Sequence, residues 1–212
     1  MMVSLDHLQK VDKKLSKVIE RIGVLEYHSY NDSGDGFVFL VREIVGQMIS
    51  SKVKRVLYKR LLELCANEIT PCCISALSID DLRGIGLSKS KSEYILNLAN
   101  LIKEGNINFS ALSQMSDENV IKSLTAIKGI GNWTAKMYLI FFLQREDVLP
   151  YEDGAFLQAY KWLYNTKVVK PESIARKCKK WKPYTSIGAK YMYKALDSGL
   201  TKIPINDFLN NY

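Results

Sequence analysis

The chain has 212 residues, 47% hydrophobic and 25% charged, with a formal net charge of +8. That length buries one sizeable core or two small cooperating lobes, while the longest apolar run, Met137 to Leu143, is far too short to span a bilayer. Cysteines at 65, 72, 73 and 178 and two histidines, His7 and His28, form neither a disulfide framework nor a metal-ligand pattern. No apolar signal core follows the opening Met-Met-Val-Ser-Leu-Asp-His, so a cytoplasmic protein without membrane contact or cofactor is expected.

In chain order, Leu8, Val11, Leu15, Val18 and Ile22 recur at spacings of three or four and predict one amphipathic helix over 6–22, ended by Gly23. Asn31-Asp-Ser-Gly-Asp-Gly36 reads as a loop and as the best internal boundary. Helices are predicted over about 37–49, 51–67, 88–103, 117–127 and 132–144, and, after a connection at 147–152, over 153–164, 171–179 and 186–196. No alternating strand series appears, so the fold class is all-α. Two Arg/Lys-Gly-Ile-Gly segments, at 83 and 128, echo each other without solenoid periodicity.

The richest stretch runs from Leu124 to Asp153. Ser116-Asp117-Glu118 opens a helix with an N-cap hydroxyl and first-turn acids, and Val120, Leu124 and Ile127 give it an apolar face. Gly129 stops it, because a tight reversal needs positive φ or room for close backbone approach. Ile130 can plug the hairpin into a core. Gly131 and Asn132 then start a second helix whose first N–H groups, unencumbered by bulk, suit an anion, with the charge of Lys128 beside them. Without a ligand the same run is an ordinary corner stopped by glycine. Twenty residues after Trp133, Val-Leu-Pro-Tyr-Glu-Asp-Gly sets Asp153 just before the next helix, where a carboxylate is either an N-cap or a catalytic acid.

Lys128-Gly-Ile-Gly-Asn-Trp-Thr-Ala135 with the following Asp153 resembles the helix-hairpin-helix (HhH-GPD) DNA glycosylase superfamily. Phe39-Leu-Val-Arg-Glu-Ile-Val-Gly-Gln-Met-Ile-Ser50 is similar to the family's early helix and turn, and Leu82-Arg-Gly-Ile-Gly-Leu-Ser-Lys-Ser-Lys-Ser-Glu-Tyr94 to a loop-helix ahead of the hairpin. Trp181-Lys-Pro-Tyr-Thr-Ser186 resembles a late motif of the alkylated-base, 3-methyladenine glycosylase II branch. The likeness covers most of the chain from about Phe37 onward. It implies a central helical barrel lobe over 31–145 with the hairpin at about 124–135, a second lobe from 1–30 plus 146–212, and an active site in the cleft between. Some alkylated-base enzymes carry an extra β-rich N-terminal domain, for which too few residues precede Phe37. The iron–sulfur cluster of other members needs four C-terminal cysteines, where this chain has Cys178.

The resemblance also assigns roles. Breaking an N-glycosidic bond develops positive charge on the deoxyribose, which a carboxylate near C1′ stabilises while it orients water; Asp153 matches that position and the competing Glu152 does not. Trp133 stands where strand-nicking members place a lysine, so the reaction is expected to stop at an abasic site, and Lys136, one turn along, reads as a helix-surface charge. Trp133 suits stacking on a flipped, electron-poor purine, packing at a lobe interface being the alternative; Tyr138, Tyr151 and Trp181 are further pocket candidates. Lys128, Gly129, Gly131, Asn132 and Thr134 are the candidates for contact with double-stranded DNA. Gln47-Met48 matches the turn that fills the hole left by a flipped base, although Met48 would serve equally as a core methionine. Thr185 departs from the pattern, the family usually having Arg there. From Lys161 to Lys194, ten Lys or Arg stand against one acid, Glu172, which suits a polyanion or a solvated basic face. The expected protein is a monomeric, nucleoid-associated base excision repair enzyme acting on alkylated purines in damaged duplex. A glycosylase for oxidised or mismatched bases, such as 8-oxoguanine or hypoxanthine, and a non-catalytic helix-hairpin-helix DNA-binding protein are the other readings.

Overall fold

The computed structural model describes residues 2–25 and 35–211 and contains no strand among the described residues. His28 and residues 31–34 of the expected loop lie outside the described residues. The chain divides into two compact units, one formed by Met1–Tyr27 with Gln144–Tyr212 and one by His28–Leu143.

The two-piece unit begins with α1 (Met2–Val11) and α2 (Lys13–Ile22), two helices where periodicity predicts one. The break is at Asp12, whose backbone leaves the helical region at φ −137°, ψ 94°, and whose carboxylate accepts from the N–H groups of Lys14 and Leu15. Asp12 N still donates to Leu8 O at 3.0 Å, and Ser16 N donates to Asp12 O at 2.8 Å. Backbone pairing and the side-chain cap therefore carry the chain through the kink, and the apolar spacing runs on undisturbed. Gly23 ends α2 at φ 75°, as its position suggests.

The continuous unit holds α3 (Gly36–Gly46), α4 (Ser51–Leu64), α5 (Pro71–Ser75), α6 (Ile79–Gly84), α7 (Lys89–Lys103), α8 (Phe109–Gln114), α9 (Asp117–Thr125) and α10 (Asn132–Met137), the last continuing as a π-helical turn over Tyr138–Phe142. Side-chain oxygens of Asp35, Ser50, Thr70, Ser78, Ser88, Asn108 and Ser116 cap the starts of α3 to α9, whereas α10 starts at Gly131 with no capping side chain. The short α5, α6 and α8 escape sequence reading because five or six residues are too few to display an apolar period. Leu40, Ile44, Leu61, Leu98 and Leu124 form part of this unit's fully buried interior.

The chain then completes the first unit with α11 (Gly154–Tyr164), α12 (Pro171–Cys178), α13 (Thr185–Asp197) and α14 (Ile205–Asn211). Leu8, Leu15 and Val18 pack with Phe156, Leu163, Ile174, Trp181, Met192 and Phe208 in one core. Asp12 is its polar centre: it accepts from Trp181 Nε1 at 2.9 Å, from the Tyr164 hydroxyl, and from Lys180 Nζ at 3.0 Å. Burial pushes this carboxyl's pKa up, but the hydrogen bonds from Tyr164, Trp181, Lys180 and Leu15 outweigh burial and hold it below the usual value.

Candidate functional site

The hairpin is built by its glycines and two isoleucines. Ile127 and Ile130 are 6% and 4% exposed, and Ile130 N donates to Ile127 O at 3.0 Å to close the turn. Gly129 sits at φ 93°, and a Cβ on it would lie 2.2 Å from Tyr94 Cγ, so both the conformation and the close approach demand glycine. Gly131 differs. Its φ is −97°, and a Cβ there would meet nothing within 4 Å. The uncapped positive end of α10 thus begins at an exposed residue with open space about it, an arrangement suited to a phosphate oxygen. Asn132 is exposed, and Lys128 is exposed with its ammonium 3.9 Å from Glu93.

Gln47 reaches this hairpin from the end of α3. Its Nε2 donates to Gly129 O at 2.9 Å and to Thr134 Oγ1 at 3.3 Å. Thr134 is 1% exposed, so its hydroxyl serves that internal link and, as placed, does not present itself to DNA. Gln47 likewise braces the hairpin. Met48 follows at φ 57° and is fully exposed, which disposes of the core-methionine alternative. The turn beneath it is fastened by Lys91 Nζ on Val45 O at 2.9 Å and by the Lys54–Glu43 ion pair at 2.8 Å, with the Lys54 stem against Gly46.

Along the hairpin helix, Trp133 is half-buried. Lys136 is 8% exposed and is not the surface charge that its spacing suggests. Tyr138 is completely buried, stacked on Phe142 with ring centroids 4.6 Å apart and edge-on to Phe39 at 5.7 Å, which makes it a core residue and not a pocket wall. Burial and the Asp35 carboxylate push its phenol well above the usual tyrosine range.

In the two-piece unit, Asp153 caps α11. Its Oδ1 accepts from Phe156 N at 2.7 Å, and the residue is 8% exposed. Capping occupies one carboxylate oxygen, so the cap and acid readings fall on the same side chain. Glu152 beside it is exposed. The connection leading to Asp153 is fixed by Ser186, whose Oγ accepts from Val148 N at 2.9 Å and whose N donates to Glu146 O at 2.9 Å. Thr185, where an arginine is usual, donates to Asp147 Oδ1 at 2.8 Å, and Lys182 Nζ lies 3.3 Å from the same carboxylate. Tyr151 is half-buried against this unit's core. Trp181 has no exposed surface; its indole N–H is held by Asp12 and its ring lies against Gly188, so it is a core pillar and not a pocket residue.

Lys190 was not foreseen. It is 3% exposed on α13, and its Nζ lies 2.7 Å from Gln144 Oε1. Burial lowers its pKa to about 8, with Glu146 opposing that shift. A lysine on a helix gives no sequence signal of burial. Trp133, the Met48 turn and the uncapped helix thus belong to one unit, and Asp153 and Tyr151 to the other.

Comparison with known proteins identifies the family. Residues 41–183 match the model of the HhH-GPD superfamily base excision DNA repair proteins. The alkylbase DNA glycosidase-like protein mag2 of Schizosaccharomyces pombe is 28% identical over 89% of this chain and 90% of its own length. A DNA-3-methyladenine glycosidase from Bacillus halodurans is 30% identical with a TM-score of 0.80, covering 97% of this chain and 94% of that one. The S. pombe 3-methyladenine DNA glycosylase Mag1, solved in complex with abasic DNA, shares the fold at a TM-score of 0.83 and 24% identity, over 92% and 96% of the two chains. With the family model spanning the hairpin, Asp153 and the segment up to Pro183, the chain belongs to the HhH-GPD superfamily of base excision DNA repair proteins.

Proposed function

We propose that this chain is a monofunctional DNA glycosylase that hydrolyses the N-glycosidic bond of alkylated purines of the 3-methyladenine type, leaving an abasic site. The observation that carries the reading is a buried Asp153 at the start of α11 in a chain whose hairpin helix holds Trp133 where lyases of the family hold lysine. One relative named for alkylated bases and one named for 3-methyladenine support the substrate class. In this reading the α10 start, with Gly131 and Lys128, takes a backbone phosphate, and Met48 enters the duplex where the base leaves. Trp133, with Tyr151 as the weaker candidate, receives the base. A cationic alkylated purine is favoured on an aromatic face, and it is already a good leaving group, so little acid assistance is required. Asp153 then stabilises the developing charge on the sugar and orients water.

The test is base release from duplexes carrying 3-methyladenine, 7-methylguanine, hypoxanthine or 8-oxoguanine. Release of the methylated purines is expected, with strand breakage only after hot alkali and no adduct trapped by borohydride. Excision confined to 8-oxoguanine would move the enzyme to the oxidised-base class. A trapped adduct would place a lysine nucleophile in the mechanism.

A further inference from the structure

The two-piece unit contains a concavity to which base release assigns no role. It measures about 480 Å³ and is lined by Arg176, Lys177 and Lys180, by the hydroxyl residues Thr166 and Ser173, and by Tyr164, with the ring of Tyr160 also on its wall. No acid lines it. Lys177 Nζ stands 4.8 Å from the centroid of the Tyr164 ring and Lys180 Nζ 5.9 Å, so the ring holds both stems at one side of the cavity. Behind them Asp12, 2% exposed, takes Lys180 at 3.0 Å and matches one of the three charges. Arg176 and Lys177 have no carboxylate within ion-pair distance among the described residues. Thr166 Oγ1 already accepts from Val168 N at 3.1 Å, which leaves its proton to donate outward.

The geometry points to a phosphate-binding site here, on the surface formed by α11, α12, the segment between them and the turn after α12 that carries Lys180. A planar guanidinium, two ammonium groups and two hydroxyls offer donors to several oxygens of one anion, the demand that a phosphate group makes. The volume lies within the roughly 300–1,000 Å³ of small-molecule sites, so a phosphorylated small molecule fits as well as a single phosphodiester of bound DNA. Three of the ten cations between Lys161 and Lys194 converge here, at a position assigned no role in base release.

The experiment uses the whole chain and two probes. Pyrophosphate is titrated into isotope-labelled protein while the amides of Thr166, Ser173 and Arg176 are followed by NMR. In parallel, affinity for undamaged duplex is measured against salt for the parent and for Arg176→Ala/Lys177→Ala, whose exposed positions leave the fold intact by circular dichroism. Saturable shifts at these amides, lost in the double variant, identify a site for a free phosphorylated ligand. A fall in the slope of log K against log salt by about 0.9 for each lost contact, without pyrophosphate shifts, identifies a DNA phosphate. If pyrophosphate moves none of these amides and the variant keeps both affinity and slope, the proposal is wrong. Neither probe requires base release, so its outcome is separable from that of the glycosylase reading.

Discussion

At single residues, the sharpest expectation concerns Asp153. Asp153→Asn keeps the side chain's size and a capping carbonyl for Phe156 N, so the melting temperature should hold while the charge proposed to face the sugar is lost. Removing one preorganised electrostatic stabiliser costs on the order of 10²–10³ in rate, and single-turnover excision should fall by at least the lower end. Glu152→Gln should retain most activity. If the two behave in reverse the acid is Glu152, and if neither loses activity Asp153 is a cap alone. The hairpin glycines give a second contrast. Gly129→Ala meets Tyr94 and an unfavourable φ, and strain of that kind costs about 1–3 kcal/mol before any clash is relieved. A Cβ at residue 131 meets nothing within 4 Å, so Gly131→Leu should fold normally yet bind duplex more weakly at all sequences, because bulk blocks approach to the N–H groups. Unchanged affinity in folded Gly131→Leu would remove the phosphate role.

At the level of elements, much was legible because the signals are local. Ser116 announces its helix by a capping oxygen, and Gly23 ends α2 at positive φ; α9 stops earlier than Gly129 suggests, at Thr125, with Gly129 supplying the positive φ of the turn beyond it. The helix break at Asp12 was not legible, since the apolar period crosses it and three of the donors that hold its carboxylate, on Tyr164, Trp181 and Lys180, lie more than 150 positions away. Aromatic residues misled for a related reason. Trp181 and Tyr138 have the character of base-stacking groups, but which face of a helix meets a core depends on partners that the local sequence does not contain. Lys136 and Lys190, read or passed over as solvated charges, are buried for the same cause. Asp12→Ala tests the long-range clasp. It strands a buried indole N–H and a phenol, and should lower unfolding free energy by about 3 kcal/mol, read by urea denaturation.

For the whole molecule, these buried charges set opposite ends of the stability–pH curve. Asp12 has a folded pKa below its ordinary 3.8, so its contribution is complete above about pH 4 and is lost as pH falls through the folded value. Lys190, folded at about 8 against 10.5 when exposed, binds fewer protons in the folded state between those values. Stability should therefore gain as pH rises from about 8 to 10, measured as the difference in melting temperature between the parent and Lys190→Met. A parent-minus-variant difference that stays flat with pH would show Lys190 to be solvated.

The order in which the halves of the unit around Asp12 leave the ribosome has a further consequence. α1 and α2 are made first, but the hydrogen-bond donors that meet Asp12 come from Tyr164, Trp181 and Lys180, after all of the continuous unit has been synthesised. Contacts of such high sequence separation form late, after a long loop has closed. The continuous unit needs no such wait. During synthesis it is the part free to fold first, and its folding shortens the effective loop that brings α1 and α2 to α11–α13. A stalled chain whose residue 143 has cleared the ribosome should accordingly give protease-resistant fragments from α3 to α10, while α1 and α2 remain cleavable until the last helices emerge.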